Sequence, residues 1–321
     1  MKRLIEIIEN FKGKKIGVIG DVMLDHFMWG DVERISPEAP VPVVLVTKES
    51  FIPGGAANTA SNIAALGGEV FLVGAVGFDF AGKQLISELE KRKINTNGLL
   101  IEKGRDTIQK IRVVARGQQL ARVDKERIKD LYSRQEKKAV NFIAPRVKNW
   151  DCLVISDYNK GFITKKLNQS IIKLARRYGK PIVGDTKPER ALYFKNVTLL
   201  SPNTKEAIAM AGTSNIREAG RMIQKRLNCS VLIKRGAEGM ILFEKNKIIK
   251  LSTKAKEVFD VVGAGDTVAA VVSLALASGA NLNQAAVIAN HAAGIVVGKI
   301  GTATVSLEEL KKDLEANGPK N

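Results

Sequence analysis

Cysteine and histidine are scarce: Cys152, Cys229, His26 and His291 are the only ones in 321 residues. No Cys/His cluster has metal-ligand spacing, which argues against a zinc centre, and two distant cysteines make no disulfide framework. A reducing compartment, the cytoplasm, is the expectation. Aromatic residues are only 5% of the chain, few for a surface that stacks bases, and no nucleic-acid-binding module stands out. Long apolar runs are missing too. Charged residues break up Met1–Lys15, so no signal-peptide core forms there. The uncharged run Thr267–Ala280 falls short of the ~20 residues a membrane span needs. Repeats, low-complexity tracts and linkers are absent.

Acidic residues are the other shortage: 33 Asp+Glu face 51 Lys+Arg, a net charge of +18. Such a surplus points to polyanionic or phosphorylated partners. Residues 101–150 and 160–200 each carry a net +8 and so supply 16 of the 18. In the second block Lys165, Lys166, Lys173, Arg176 and Arg177 interleave with Leu167, Ile171, Ile172 and Leu174, the spacing of an amphipathic helix with a solvated face.

Short Val/Ile-rich runs alternate with helical patterns. Lys15–Gly20, Val70–Val76, Cys152–Ser156, Pro181–Asp185, Val197–Leu200 and Ser230–Lys234 read as strands. Ala56–Leu66, Ala81–Lys93, Thr164–Tyr178, Thr204–Ala211 and two long helices within Asp266–Gly298 fill the spaces. This rhythm predicts an α/β fold: a central, mostly parallel sheet with helices on both faces. Val41–Thr47 and Gln109–Arg116 read as β without a crossover helix. They predict a small β-sheet appendage, a lid with strands from about 31–50 and 105–125, on one domain spanning 1–321.

Four motifs bear on chemistry. Gly77–Gln84 (GFDFAGKQ) is one residue from a P-loop, but Gln84 stands where a metal-binding Ser or Thr belongs, so a loop and helix start is expected. Pro53–Asn58 (PGGAAN) lets backbone approach a ligand closely through Gly54 and Gly55, or simply turns the chain into a helix. Ser201–Glu206 (SPNTKE) follows a strand; Asn203 and Glu206 make either a capping box or a ligand site. Asp260–Thr267 (DVVGAGDT) is the strongest. Its Gly263-Ala264-Gly265 turn opens a long helix, so free amides and the helix dipole form an anion hole. Asp266 beside that hole suits a base that takes a proton from an attacking hydroxyl; the plainer alternative is an acidic first-turn residue.

In this order the last three motifs resemble the ribokinase/PfkB sugar kinases. Five further stretches resemble the branch acting on D-glycero-D-manno-heptose 7-phosphate: Gly20–Asp25, Arg34–Pro42, Gln118–Asp124, Ser156–Gly161 and Gly294–Val305. The resemblance covers nearly the whole chain. It implies a ribokinase-like fold and transfer of the ATP γ-phosphate to the C1 hydroxyl of heptose 7-phosphate. It implies a kinase without the nucleotidyltransferase that follows in bifunctional relatives. Asp266 would be the base and the Gly263–Gly265 amides the anion hole. Asn203 and Glu206 would place Mg2+ and ATP phosphates through water. Lys234, Gly236 and Gly239 would flank adenine. Asp21, Gly54, Gly55 and Asn58 would hold sugar hydroxyls. Arg112, Arg122, Lys160 and Lys187 are candidates for the phosphates, and Asp260 with the Ile300–Gly301 turn for a monovalent cation such as K+. The resemblance also implies a homodimer clasped through the lid, with no membrane or nucleic-acid partner. Competing readings are a PfkB-type kinase of another sugar and, more distantly, a basic nucleic-acid-binding protein. His26, His291, Phe27 and Trp29 are expected to pack rather than react.

Overall fold

The computed structural model describes residues 1–253, 260–299, 301 and 303–318. The main sheet has nine strands: β1 (Lys15–Gly20), β4 (Glu69–Gly77), β5 (Asn95–Glu102), β8 (Cys152–Asp157), β9 (Ile182–Thr186), β10 (Leu199–Leu200), β11 (Ser230–Lys234), β12 (Met240–Glu244) and β13 (Lys247–Leu251). Their spatial order is β13, β12, β11, β10, β9, β8, β1, β4, β5. The seven from β11 to β5 run parallel; β12 and β13 fold back antiparallel at one edge. β8 is buried at every position, as an unalternated apolar run between two helical layers should be.

Successive side chains of a strand feed opposite faces, and so two cores form. Ile16, Val18 and Val154 pack with α1 (Lys2–Glu9), α2 (Ala56–Ala65), α3 (Phe80–Lys91), α8 (Ala264–Ala277), α9 (Leu282–Val296) and α10 (Leu307–Asn317). Ile19, Leu153 and Ile155 pack with α4 (Ser133–Ile143), α5 (Lys165–Arg177), α6 (Thr204–Ala211) and α7 (Ile216–Leu227). Among the described residues no helix is long and apolar enough to cross a membrane.

The second sheet has four strands in the order β3, β2, β6, β7: β2 (Val22–Ile35), β3 (Pro42–Gly55), β6 (Ile108–Ala115) and β7 (Gln118–Lys125). β2 starts nine residues before the expected 31 and is separated from β1 by Asp21 alone. That residue is therefore the junction between the sheets.

The Gly77–Gln84 stretch is a helix start. Asp79 caps α3 by accepting from the Gly82 amide at 2.8 Å and also takes the Thr107 hydroxyl at 2.7 Å. His26 meets Glu49 at 2.7 Å and the buried His291 meets Asp313 at 2.6 Å. Phe27 and Trp29 stack on each other at 5.5 Å.

Candidate active site

Strand β8 ends at Asp157, and the chain then turns through Tyr158–Phe162. Asp21 builds that turn: Oδ2 accepts the Tyr158 and Lys160 amides at 2.9 and 3.0 Å, and Oδ1 the Phe162 amide at 2.9 Å. Burial raises the Asp21 carboxyl from its ordinary value, and the three amides pull it back. In this buried position backbone amides take three of its about four acceptor places.

Across the turn lies the start of α8. Gly263 adopts φ +81°, the left-handed conformation glycine takes most readily, and sets the entry angle. The Ala264 amide turns back to the Val261 carbonyl at 3.3 Å. The Gly263, Gly265 and Asp266 amides have no protein acceptor among the described residues, so two amides of the Gly263–Gly265 turn are free and the Asp266 amide adds a third. A Cβ on Gly265 would stand 3.1 Å from the Lys234 ammonium. That ammonium therefore sits at the positive end of the helix and is steadied by Asp185 at 3.4 Å. Gly236 and Gly239, with φ +56° and +81°, form the turn that leads from β11 into β12.

The Asp266 carboxylate is buried and receives three hydrogen bonds. Asn58 Nδ2 donates to Oδ2 at 2.8 Å; Thr59 Oγ1 and the Tyr158 hydroxyl donate to Oδ1 at 3.1 and 2.8 Å. Burial pushes its pKa up to about 6, opposed by the Asn58 and Tyr158 hydrogen bonds. A carboxylate of this kind is a competent proton acceptor near neutral pH. Asn58 is itself buried, and its amide donates to Asp266. Gly55, with φ +60°, caps α2 and lines the same space. Gly54 has no room for a side chain: a Cβ would lie 2.5 Å from Asp25 Oδ2.

A cavity of about 310 Å3 brings the pieces together, lined among others by Asp25, Lys110, Arg112, Arg122, Tyr158, Lys160, Lys187, Gly263 and Asp266. All four cations named from the sequence face it. Each is held by a carboxylate: Arg112 by Asp25 at 2.5 Å, Arg122 by Asp124 at 2.8 Å, Lys160 by Glu126 at 2.6 Å, Lys187 by Glu206 at 2.6 Å. Sequence reasoning missed Lys110, which Asp124 and Glu126 hold at 2.8 and 2.6 Å. Its alternating place on β6 beside Arg112 was the available signal.

Asn203 and Glu206 do form a capping box: the Asn203 side chain accepts the Glu206 amide, and Glu206 Oε2 the Asn203 amide, both at 2.9 Å. Glu206 has a second task, because Oε1 takes Lys187. Burial, the largest influence, would raise its carboxyl, but the Lys187 hydrogen bond, the Asn203 amide and the charges of Lys234 and Lys187 together hold the group below its ordinary value. Among the described residues no three His, Cys, Asp or Glu gather as a metal cluster. Oxygen donors with few carboxylates, as here, match Mg2+, which keeps several waters. Asp260 accepts the Val262 amide at 2.9 Å and the Gly301 amide at 3.2 Å, joining two turns near α8; Ile300 lies outside the described residues.

Comparison with known proteins bears on the family and the fold. The family described as pfkB family carbohydrate kinase matches residues 14–310. The bifunctional protein HldE of Helicobacter acinonychis (strain Sheeba) is 42% identical over 314 residues, 96% of this chain and 68% of that one. The protein of the same name from Helicobacter pylori (strain J99) is 43% identical over the same shares. Among solved structures, phosphofructokinase-2 from Escherichia coli in complex with potassium superposes with a TM-score of 0.77 at 22% identity, over 95% of this chain and 99% of that one. Arabidopsis thaliana ribokinase complexed with ribose and ATP gives 0.72 at 20% identity, over 95% and 99%. The fold is thus the ribokinase fold, and the chain belongs to the pfkB family of carbohydrate kinases, phosphotransferases that act on sugar hydroxyls.

Proposed function

We propose that the chain transfers the γ-phosphoryl group of ATP to the C1 hydroxyl of D-glycero-D-manno-heptose 7-phosphate, giving the 1,7-bisphosphate. The observation that carries this reading is the cavity holding Asp266 together with Lys110, Arg112, Arg122 and Lys160. A buried base and a bank of cations in one space suit an acceptor that brings both a hydroxyl and a phosphate. These four cations share only three carboxylates, Asp25, Asp124 and Glu126, which leaves positive charge that a neutral sugar would not use. The heptose-branch motifs and the HldE-named relatives support the same substrate.

In this reading Asp266 takes the proton of the attacking C1 hydroxyl. The Gly265 and Asp266 amides, the dipole of α8, Lys234 and Lys187 face the charge of the moving phosphoryl group. Lys110, Arg112, Arg122 and Lys160 hold the 7-phosphate, kept in place by Asp25, Asp124 and Glu126. Gly54 and Gly55 bring backbone close to the sugar, with Asp21 and Asn58 ordering the parts around it. Gly236 and Gly239 border the adenine. Glu206 and Asn203 would hold Mg2+, largely through water, and the ion would supply charge neutralisation for the ATP phosphates. Asp260 would hold a monovalent cation, K+ in this proposal, and a second copy would pair through the small sheet.

The experiment is phosphorus–proton NMR of the product formed from heptose 7-phosphate and MgATP, beside an ADP-release panel with ribose and fructose 6-phosphate. A phosphate on C1 is expected. If heptose 7-phosphate reacts no better than the other sugars, the substrate reading is lost while the kinase stands.

A further inference from the structure

A carboxylate has two oxygens with about four acceptor positions between them. On Asp266 three are filled by protein: Oδ1 takes both Thr59 and Tyr158, and Oδ2 takes only Asn58. One position is left, and it is on Oδ2. The Tyr158 hydroxyl is no accident of a mobile side chain. Asp21 anchors the backbone amide of the same residue at 2.9 Å, and the Lys187 ammonium lies 5.3 Å from the centre of its ring. Tyr158 therefore links the turn after β8, the base and a lysine of the phosphate side.

We infer that Tyr158 is a positioning residue for Asp266: with Thr59 it closes Oδ1, so that Oδ2 is the oxygen that receives the acceptor's proton. The inference rests on Asp266 as the base. Burial keeps the phenol protonated, its pKa raised well above the ordinary value, and so it serves as donor throughout the working range. A donor to the ionised carboxylate favours that form and opposes the burial that disfavours it. The other charges facing Asp266 are Asp185 and Lys187 at the end of β9, Lys234 on β11, the Asp25 carboxylate on β2 and the cations of the cavity wall; α2 presents only the uncharged Asn58 and Thr59.

Tyr158→Phe keeps the ring and removes the donor. The acid limb of kcat/KM for the sugar should then move up by half a pH unit or more, with the loss of rate about twofold or greater at pH 6 and much smaller at pH 8.5. Carbon-13 NMR titration of aspartate carboxyls, with Asp266→Asn identifying the signal, should show the same upward shift and reads out even if turnover is poor. Thr59→Val, which empties the other position on Oδ1, should shift the limb in the same direction. An unmoved limb and an unmoved carboxyl titration in Tyr158→Phe overturn the inference. A different result separates the two readings: if Asp266→Asn keeps its turnover, the base assignment itself is wrong.

Discussion

Removing Asp266 should harm catalysis and help the fold. Its carboxyl titrates at about 6 in the folded chain, against an ordinary 3.8. The folded state therefore holds more protons than the unfolded one between roughly pH 4 and 6, and stability falls as pH rises through that window. Asp157, raised by burial to about 6, acts in the same direction. Above pH 6 the full cost of the buried charge is present, about 3 kcal/mol at most for Asp266. Asp266→Asn can keep its neighbours, its amide oxygen accepting from Asn58 and its NH2 donating to the hydroxyls of Thr59 and Tyr158. We expect a loss of kcat of about 100-fold or more, with a Tm above wild type at pH 7.5 and a gap that closes by pH 4.5. Near-normal turnover, or a lower Tm at pH 7.5, would contradict this account. Asp266 and its glycines were legible because they sit together in one motif. Tyr158 and Thr59 were not, since they lie 108 and 207 residues from the carboxylate they serve, and only the closed fold brings them there.

At the scale of elements, α6 carries two functions in one turn, and they can be separated. Glu206 closes the capping box and also holds Lys187. Glutamine at the third helical position caps as glutamate does, but it brings no charge to Lys187 or to a metal ion. Glu206→Gln should therefore keep the cap and cost at most about 1 kcal/mol through the lost Lys187 pair, while raising the Mg2+ concentration for half-maximal rate several-fold. Superimposable Mg2+ titrations would leave Glu206 with capping alone. Asn203→Ala removes the cap itself and should cost about 1 kcal/mol in a urea melt, beside any effect on the Mg2+ titration. Elements differed in how far they could be read ahead. The buried strands and the small-residue helices showed themselves as unbroken apolar runs. β2 did not: its first residues are buried, its last exposed, and no single period spans its 14 positions. α1, α4, α7, β5, β12 and β13 also escaped the reading, being short or polar on most of their surface. α10 could have been found, since Ser306 and Glu309 form a capping box three residues apart.

For the molecule as a whole, the net charge of +18 has to be set against what the small sheet exposes. Five cations of the cavity wall are already matched by carboxylates, so most of the surplus faces solvent and repels a second copy. Yet Ile35, Val41, Leu45, Val46, Leu120 and Val123 stand exposed on or beside that sheet, and β7 is exposed along its whole length. Apolar residues gathered on an open sheet mark a surface that another protein covers, and our reading gives that place to a second copy. The two forces depend oppositely on salt. Repulsion between distant surface charges fades as the Debye length shrinks from about 14 Å at 0.05 M toward about 4 Å at 0.5 M, whereas apolar association does not weaken. Sedimentation at fixed protein concentration should accordingly show the dimer fraction rising between those salt concentrations. Leu45→Lys, which adds a charge where the sheet is most apolar, should give a monomer at both while its far-ultraviolet spectrum stays that of the wild type. A dimer that dissociates as salt is added would mean that ion pairs, not this sheet, hold the two copies together.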